Sequence, residues 1–248
     1  MNNILEIKNL SKTYYTKEKE INAIKDINLT IKKGEFLAIV GPSGCGKSTL
    51  LNIIEGLDYK TSGEIIIPNN IKLGYMPQTD CLFDWLSILD NCLLGPKIQK
   101  NLTQNTKDYV LNLLSEYGLK DFINCKPKNL SGGMKQRVAL IRTLATNPDI
   151  LLLDEPYSAL DYQTRIKVAD DVYKIIKKEN KTAILITHDI AEAIASADKV
   201  IVLSSRPSTI KEIYNINLTN KSTPIHNRTC KEFNEYYEKI WRSIENNV

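Results

Sequence analysis

Nine consecutive residues constrain this chain more than any others: Gly41-Pro42-Ser43-Gly44-Cys45-Gly46-Lys47-Ser48-Thr49, which fit G-x-x-x-x-G-K-[ST]. They lie between the apolar run Phe36–Val40 and a segment that begins Leu50-Leu51-Asn52-Ile53-Ile54. A short, uninterrupted apolar run of this kind reads as a strand buried on both faces, as in parallel sheets covered by helices. Glycines let the backbone wrap closely around a phosphate, because positive φ costs them little. Successive N–H groups and the start of the following helix then face the anion. Lys47 is placed to neutralise the β- and γ-phosphates, and the Ser48 hydroxyl to ligate Mg²⁺. Cys45 need only be small there and offer its N–H; no chemistry is assigned to its thiol.

A second feature agrees with the first. Ile150-Leu151-Leu152-Leu153 ends in Asp154-Glu155, a buried strand that delivers two carboxylates at its C-terminal end, where parallel-sheet proteins place ligands. Asp154 can hold Mg²⁺ through water, and Glu155 can accept a proton from an attacking water.

The remaining pattern outlines an α/β core. Residues 4–31 read as antiparallel strand material, with Ile27, Leu29 and Ile31 on one face, a turn at Thr16–Glu20 and a stop at Lys32-Lys33-Gly34. Glu64–Ile67 and Ile71–Tyr75 are expected to pair around Pro68-Asn69-Asn70. From about Thr79 to Asn147 the spacing becomes helical. One helix carries Val110, Leu113, Leu114 and Tyr117 and stops at Gly118, and another runs from about Gly133 to Asn147. Strand character returns at Ile150–Leu153 and Ala183–Thr187, and Lys199–Ser204 with Thr209–Leu218 reads as a hairpin around Arg206-Pro207. Asp189-x-x-Glu192 and Thr229-x-x-Glu232 look like capping boxes. The second would open a helix over 229–245 whose stripe of Phe233, Tyr236, Tyr237, Ile240, Trp241 and Ile244 packs on its own domain. The expectation is one domain over 1–248: a nucleotide-binding core with a β subdomain (4–78 and 148–218), a helical insert (about 79–147) and the C-terminal helix.

Composition excludes little and directs nothing elsewhere. The 33 Lys and Arg against 29 Asp and Glu leave a net charge of +4, spread along the chain with no basic patch or arm, so no nucleic-acid partner is expected. Five cysteines without a C-x-x-C pair fit a reducing compartment. The opening residues lack a secretion-signal pattern, and no apolar run is long enough to span a bilayer.

Further segments make the resemblance specific. Leu130-Ser131-Gly132-Gly133-Met134-Lys135-Gln136 resembles the signature motif of the ATP-binding cassette family, and Gln78 in Tyr75-Met76-Pro77-Gln78 its Q-loop. Ser158-Ala159-Leu160-Asp161 is similar to its D-loop, His188 to its switch histidine, and Tyr14 to the aromatic residue that stacks on adenine, with Tyr15 as the rival. The resemblance implies a P-loop ATPase fold with a parallel-rich sheet, an antiparallel β subdomain and a helical insert. It implies ATP and Mg²⁺ as ligands, with Ser48, Gln78 and Asp154 around the metal. Lys47, Gln78, Glu155 and His188 would carry hydrolysis. Ser131, Gly132 and Gly133 would close on the nucleotide of the opposite subunit of a head-to-tail dimer, with Asp161 at the dimer contact.

Within that family, Thr79–Asn91, Glu155–Asp161 and Ser205-Arg206-Pro207-Ser208 resemble the subunits of bacterial nitrate, sulfonate and taurine importers. This implies transmembrane permease subunits as partners, an extracytoplasmic substrate-binding protein acting indirectly, and a place on the cytoplasmic side of the membrane. Phe83, Trp85 and Leu86, just after Gln78, are expected to face the permease. The competing reading is a soluble ATPase of translation or DNA repair. Those relatives carry tandem cassettes, long coiled coils or zinc modules, none of which is present in the sequence.

Overall fold

The computed structural model describes residues 3–17 and 19–245; Glu18, within the expected turn, lies outside them. Strands β1 (Asn3–Tyr15) and β2 (Glu20–Lys32) are followed by β3 (Phe36–Val40), α1 (Lys47–Glu55), β4 (Ser62–Ile66) and β5 (Leu73–Met76). Helices α2 (Ile88–Ile98), α3 (Gln104–Glu116) and α4 (Gly132–Leu144) form the helical region. The chain then alternates: β6 (Ile150–Asp154), α5 (Tyr162–Lys178), β7 (Thr182–Ile186), α6 (Ile190–Ser196) and β8 (Lys199–Leu203). Strand β9 (Ile210–Asn215), α7 (Pro224–Asn227) and α8 (Phe233–Glu245) complete it.

Two sheets result. β2, β1 and β4 form an antiparallel sheet, and the second has the order β5-β6-β7-β3-β8-β9. Neighbours in the second sheet run parallel except β9, which is antiparallel to β8. Strands β3, β6 and β7 are buried along their whole length, because both faces are covered. Phe36, Ala38 and Val40 pack with residues of α4, α5 and α6, whereas Leu37 and Ile39 pack toward α1 and the antiparallel sheet. Each fully buried Leu or Ile contributes about 1.5–3 kcal/mol of transfer free energy. The alternation on β3 is therefore what holds the two layers to one central strand.

The structure corrects several expectations. β4 and β5 do not pair with each other. β4 lies antiparallel to β1 (Lys8 opposite Glu64), while β5 lies parallel to β6 (Leu73 opposite Ile150). Pro68-Asn69-Asn70 is a link between sheets. Its far end is fixed by Asp149, whose carboxylate accepts the Lys72 N–H at 2.9 Å and whose own N–H donates to the Lys72 carbonyl at 2.8 Å. Only half of the first capping box forms: Asp189 Oδ1 accepts the Glu192 N–H at 3.1 Å, but the Glu192 carboxyl is taken by Thr187. The second does not form, since the Thr229 hydroxyl donates to the His226 carbonyl and Glu232 accepts from Thr219. The expected stripe of α8 does face its own domain through Phe233 and Ile240, which are buried, although Trp241 stays 47% exposed. Helix α4 stops at Leu144, three residues short of the expected Asn147, and the short helix α7 lies between β9 and α8. Gly118 ends α3 as expected, with φ of +72° and Leu119 N–H returning to the Leu114 carbonyl at 2.7 Å.

Candidate active site

The P-loop residues sit between β3 and α1, where the sequence places them. Gly46 precedes α1 with φ of +114°, and a Cβ there would lie 3.2 Å from the Ala23 carbonyl oxygen. Only glycine meets both demands without strain. Because Gly46 has no side chain to cap α1, the first N–H groups of the helix remain open to an anion. Lys47, 6% exposed, donates from Nζ to the carbonyls of Gly41 and Pro42, each at 3.0 Å. Among the described residues no carboxylate lies within ion-pair reach of it. An ammonium has three donors, so one is left for a ligand, and a buried cation without a counter-charge fits a phosphate. Ser43, Gly44, Gly46, Lys47, Ser48, Thr49, Glu155 and Arg206 line a cavity of about 200 Å³ here.

The strand end supplies the carboxylates. Asp154 is 6% exposed; its Oδ1 accepts from the Ser48 hydroxyl at 3.0 Å and its Oδ2 from the Tyr75 hydroxyl at 3.3 Å. Burial raises the Asp154 carboxyl above its ordinary value, opposed by these two hydrogen bonds. Burial and the facing Asp154 push the Tyr75 phenol up to about 12. A hydroxyl and a carboxylate in contact at the mouth of a phosphate loop fit Mg²⁺, a hard cation that takes oxygen ligands and keeps several waters.

Glu155 adopts φ of +43°, and its N–H donates to the Ile186 carbonyl at 2.9 Å. A non-glycine residue in this region costs about 1–3 kcal/mol, a kind of strain that clusters at functional sites. Its Oε2 lies 3.1 Å from His188 Nδ1 and 3.4 Å from Gln78 Nε2. The ends of β5, β6 and β7 thus bring three residues far apart in sequence onto one oxygen.

Tyr14 stands beside the loop. Its hydroxyl donates to Asp58 Oδ2 at 2.7 Å and lies 3.5 Å from Thr49 Oγ1, and the Lys12 ammonium lies 4.5 Å from its ring centre. Tyr15 is 69% exposed. The pinned ring of Tyr14 therefore presents the defined surface near the loop.

The signature residues are elsewhere. Ser131 caps α4, its Oγ accepting the Met134 N–H at 3.4 Å, and neither it nor Gly132 or Gly133 lines the cavity at Lys47. The two glycines let α4 approach α5 and the segment before it: a Cβ on Gly132 would lie 3.0 Å from Leu160 Cδ2, and one on Gly133 3.0 Å from Thr164 Cγ2 of α5. Asp161 caps α5 by accepting the Thr164 N–H at 3.0 Å, and that bond holds its carboxyl below the usual range.

Phe83 and Trp85 are 36% and 71% exposed, with ring centres 4.9 Å apart, so they do not belong to the core; Leu86 is half-buried. Their loop is nonetheless fixed. Buried Asn91 bonds both the N–H and the carbonyl of Phe83, and Arg142 donates to the carbonyls of Asp80 and Cys81, each at 2.6 Å. Phe83 also lines a cavity of about 430 Å³ with Tyr75, Leu94, Ile98 and Thr146 among others.

Sequence reasoning passed over two residues of the site. Arg206 donates to the Gly44 carbonyl at 2.5 Å, and Tyr75 holds Asp154. Both lie inside segments quoted for their resemblance, yet no local spacing marks either one.

Known proteins share the family and the fold of this chain. The family described as ABC transporter matches residues 24–158. An uncharacterized ABC transporter ATP-binding protein of Bacillus subtilis is 44% identical over 97% of this chain and 95% of its own. The nitrate import ATP-binding protein NrtD of Synechocystis is 40% identical over 95% of this chain and 93% of its own. The taurine import ATP-binding protein TauB of Pelagibacter ubique is 42% identical over 84% of this chain and 81% of its own. Among solved structures, the dimeric post-hydrolysis state of the ATP-binding cassette MJ0796 with ADP and Pi superimposes with a TM-score of 0.74 at 36% identity. That match covers 86% of this chain and 99% of the other.

Proposed function

The chain belongs to the ABC transporter family, and from that premise we propose that it is the ATP-hydrolysing subunit of an importer for a small nutrient. It works as a head-to-tail dimer on the cytoplasmic side of the membrane. Among the described residues no helix is long and apolar enough to cross a bilayer, so the path for the nutrient belongs to permease subunits. An extracytoplasmic binding protein would deliver the nutrient to them. The relatives named for nitrate and taurine import support a small oxyanion or sulfonate as the cargo.

The open N–H groups of α1 and the spare donor of Lys47 hold the triphosphate. Ser48, Asp154 and Gln78 would hold Mg²⁺, which would supply positive charge to the phosphates. Glu155 accepts the proton of the attacking water. His188 and Gln78 keep the Glu155 carboxylate turned toward the mouth, and His188 also faces the γ-phosphate. Tyr14 supplies the flat surface for adenine.

One observation carries the dimer reading. The loop and the acid share a single mouth, while Ser131, Gly132 and Gly133, at a second helix start, contribute nothing to it. A two-fold dimer gives each signature a nucleotide to meet. Asp161, which opens the helix packed against Gly133, then lies at the contact. Phe83 and Trp85, with Leu86 beside them in sequence, form an apolar surface for the permease.

Co-purification from membranes with Mg²⁺-dependent ATPase assays tests the assignment. The expected result is a complex of two copies with membrane subunits, whose ATPase rises when the permease is loaded. Recovery of a membrane-free protein with full, unregulated turnover would contradict it.

A further inference from the structure

We propose that Glu192, in the first turn of α6, is the positioning residue that sets His188 against Glu155, an inference that rests on the reading of His188 as part of the hydrolytic site. Glu192 is 4% exposed. Its Oε2 accepts the Thr187 hydroxyl at 3.0 Å, and Thr187 Oγ1 in turn accepts the backbone N–H of Asp189 at 3.0 Å. Asp189 Oδ1 then accepts the backbone N–H of Glu192 at 3.1 Å, closing a ring of bonds. The chain is thus pinned immediately before and immediately after His188, and both pins lead to one carboxyl. The His188 side chain is 55% exposed. Having little packing of its own, the imidazole takes its position from the backbone on either side.

The C-terminal segment covers α6. Asn227 of α7 donates to the Ala195 carbonyl of α6 at 2.7 Å, and Phe233 and Ile240 of α8 join the core that contains Ile194 and Ala195. The charged and titratable groups facing Glu192 are Arg165 from α5, Arg228 after α7, Asp189 on its own turn and Tyr157 from the loop after β6. Burial dominates and pushes its carboxyl up to about 8. At neutral pH it is therefore mainly an uncharged acid, whose carbonyl oxygen still accepts the Thr187 hydroxyl although that bond favours the ionised form. Glu192 Oε1, Arg165 Nε and Arg228 Nε are all buried without a hydrogen-bond partner among the described residues. Ionising Glu192 would add a negative charge near Arg165 and Arg228, the first of which already lies 3.7 Å from Asp189 Oδ2.

Three variants test the proposal. Thr187→Val keeps the side-chain shape and removes the hydroxyl, Glu192→Ala removes its acceptor, and Glu192→Gln keeps an uncharged acceptor. In the first two, kcat for ATP should fall about 10–100-fold, the scale of a displaced catalytic group, with KM little changed. Glu192→Gln should restore it and remove any loss of kcat above pH 8. His226 is the only other histidine, so in a His226→Gln background the ¹⁵N resonances of His188 stand alone. They should move in Thr187→Val and Glu192→Ala and return in Glu192→Gln. Unmoved resonances in a folded Thr187→Val protein would overturn the proposal. Moved resonances with normal kcat would uphold the positioning and count instead against the hydrolytic role of His188. If Glu192→Ala does not fold, Thr187→Val carries the test.

Discussion

The Ser48 hydroxyl donates to Oδ1 of Asp154 across 3.0 Å, tying the first turn of the helix after the phosphate loop to the last residue of a strand more than a hundred positions later. Two oxygens that meet in this way at the mouth of the cavity make a donor set that suits a divalent cation.

Replacing Asp154 with Asn keeps the size of the side chain and removes its charge. Mg²⁺-dependent ATP affinity and turnover should fall together, by about 10–100-fold, the scale of losing an outer partner of a metal site. A Mg²⁺ titration of nucleotide binding and of steady-state hydrolysis checks this. Normal Mg²⁺ affinity in the variant would remove Asp154 from the metal.

Glu155→Gln should separate binding from chemistry. ATP binding is expected to persist, while turnover falls by a factor of about 10²–10⁴, the range for losing a general base. Parallel binding and single-turnover assays would show it, and near-normal hydrolysis would assign the proton to another group.

The fold class was legible in the sequence, and so was the placing of chemistry-bearing residues at the ends of buried strands. Lys47, Asp154 and Glu155 were legible because an apolar run followed at once by chemistry-bearing residues has few structural meanings. Two elements were not. β4 and β5 part because β4 pairs with β1 and β5 with β6, where Asp149 also holds Lys72, and no local pattern records contacts so far apart in sequence. α5 was passed over, although Val168, Val172, Ile175 and Ile176 are all buried in it at helical spacing. Glu192 read as half of a capping box, because sequence spacing could not show that Thr187 would claim its carboxyl.

Phe83→Ala combined with Trp85→Ala should leave the basal ATPase of the isolated subunit nearly intact, since neither ring lies in the core or beside Lys47. Assembly with the permease should weaken, each ring costing about 2 kcal/mol if it anchors the contact. A pull-down with the membrane subunits measures this, and undiminished assembly would place the contact elsewhere.

Buried Glu192 also makes stability depend on pH. Its carboxyl rises from 4.5 to about 8 in the folded chain, so the folded state holds that proton more tightly than the unfolded one. The resulting stabilisation is complete below the unfolded value and is lost as pH rises through the folded one. Urea midpoints should fall between pH 5 and 8 more steeply in the wild type than in Glu192→Gln. Equal slopes would mean that the carboxyl is ionised in the folded protein.

The central claim is that each ATP is held by the loop of one copy and the signature of the other, and complementation tests it most directly. Lys47→Ala removes the phosphate cation, and Ser131→Arg places a bulky side chain at the second helix start. Each variant alone should be inactive. Mixed dimers of the two, isolated through different affinity tags, contain one site with an intact loop facing an intact signature and should recover ATPase activity. Wild-type hydrolysis by Ser131→Arg alone would contradict the account, because the signature would then be no part of the site.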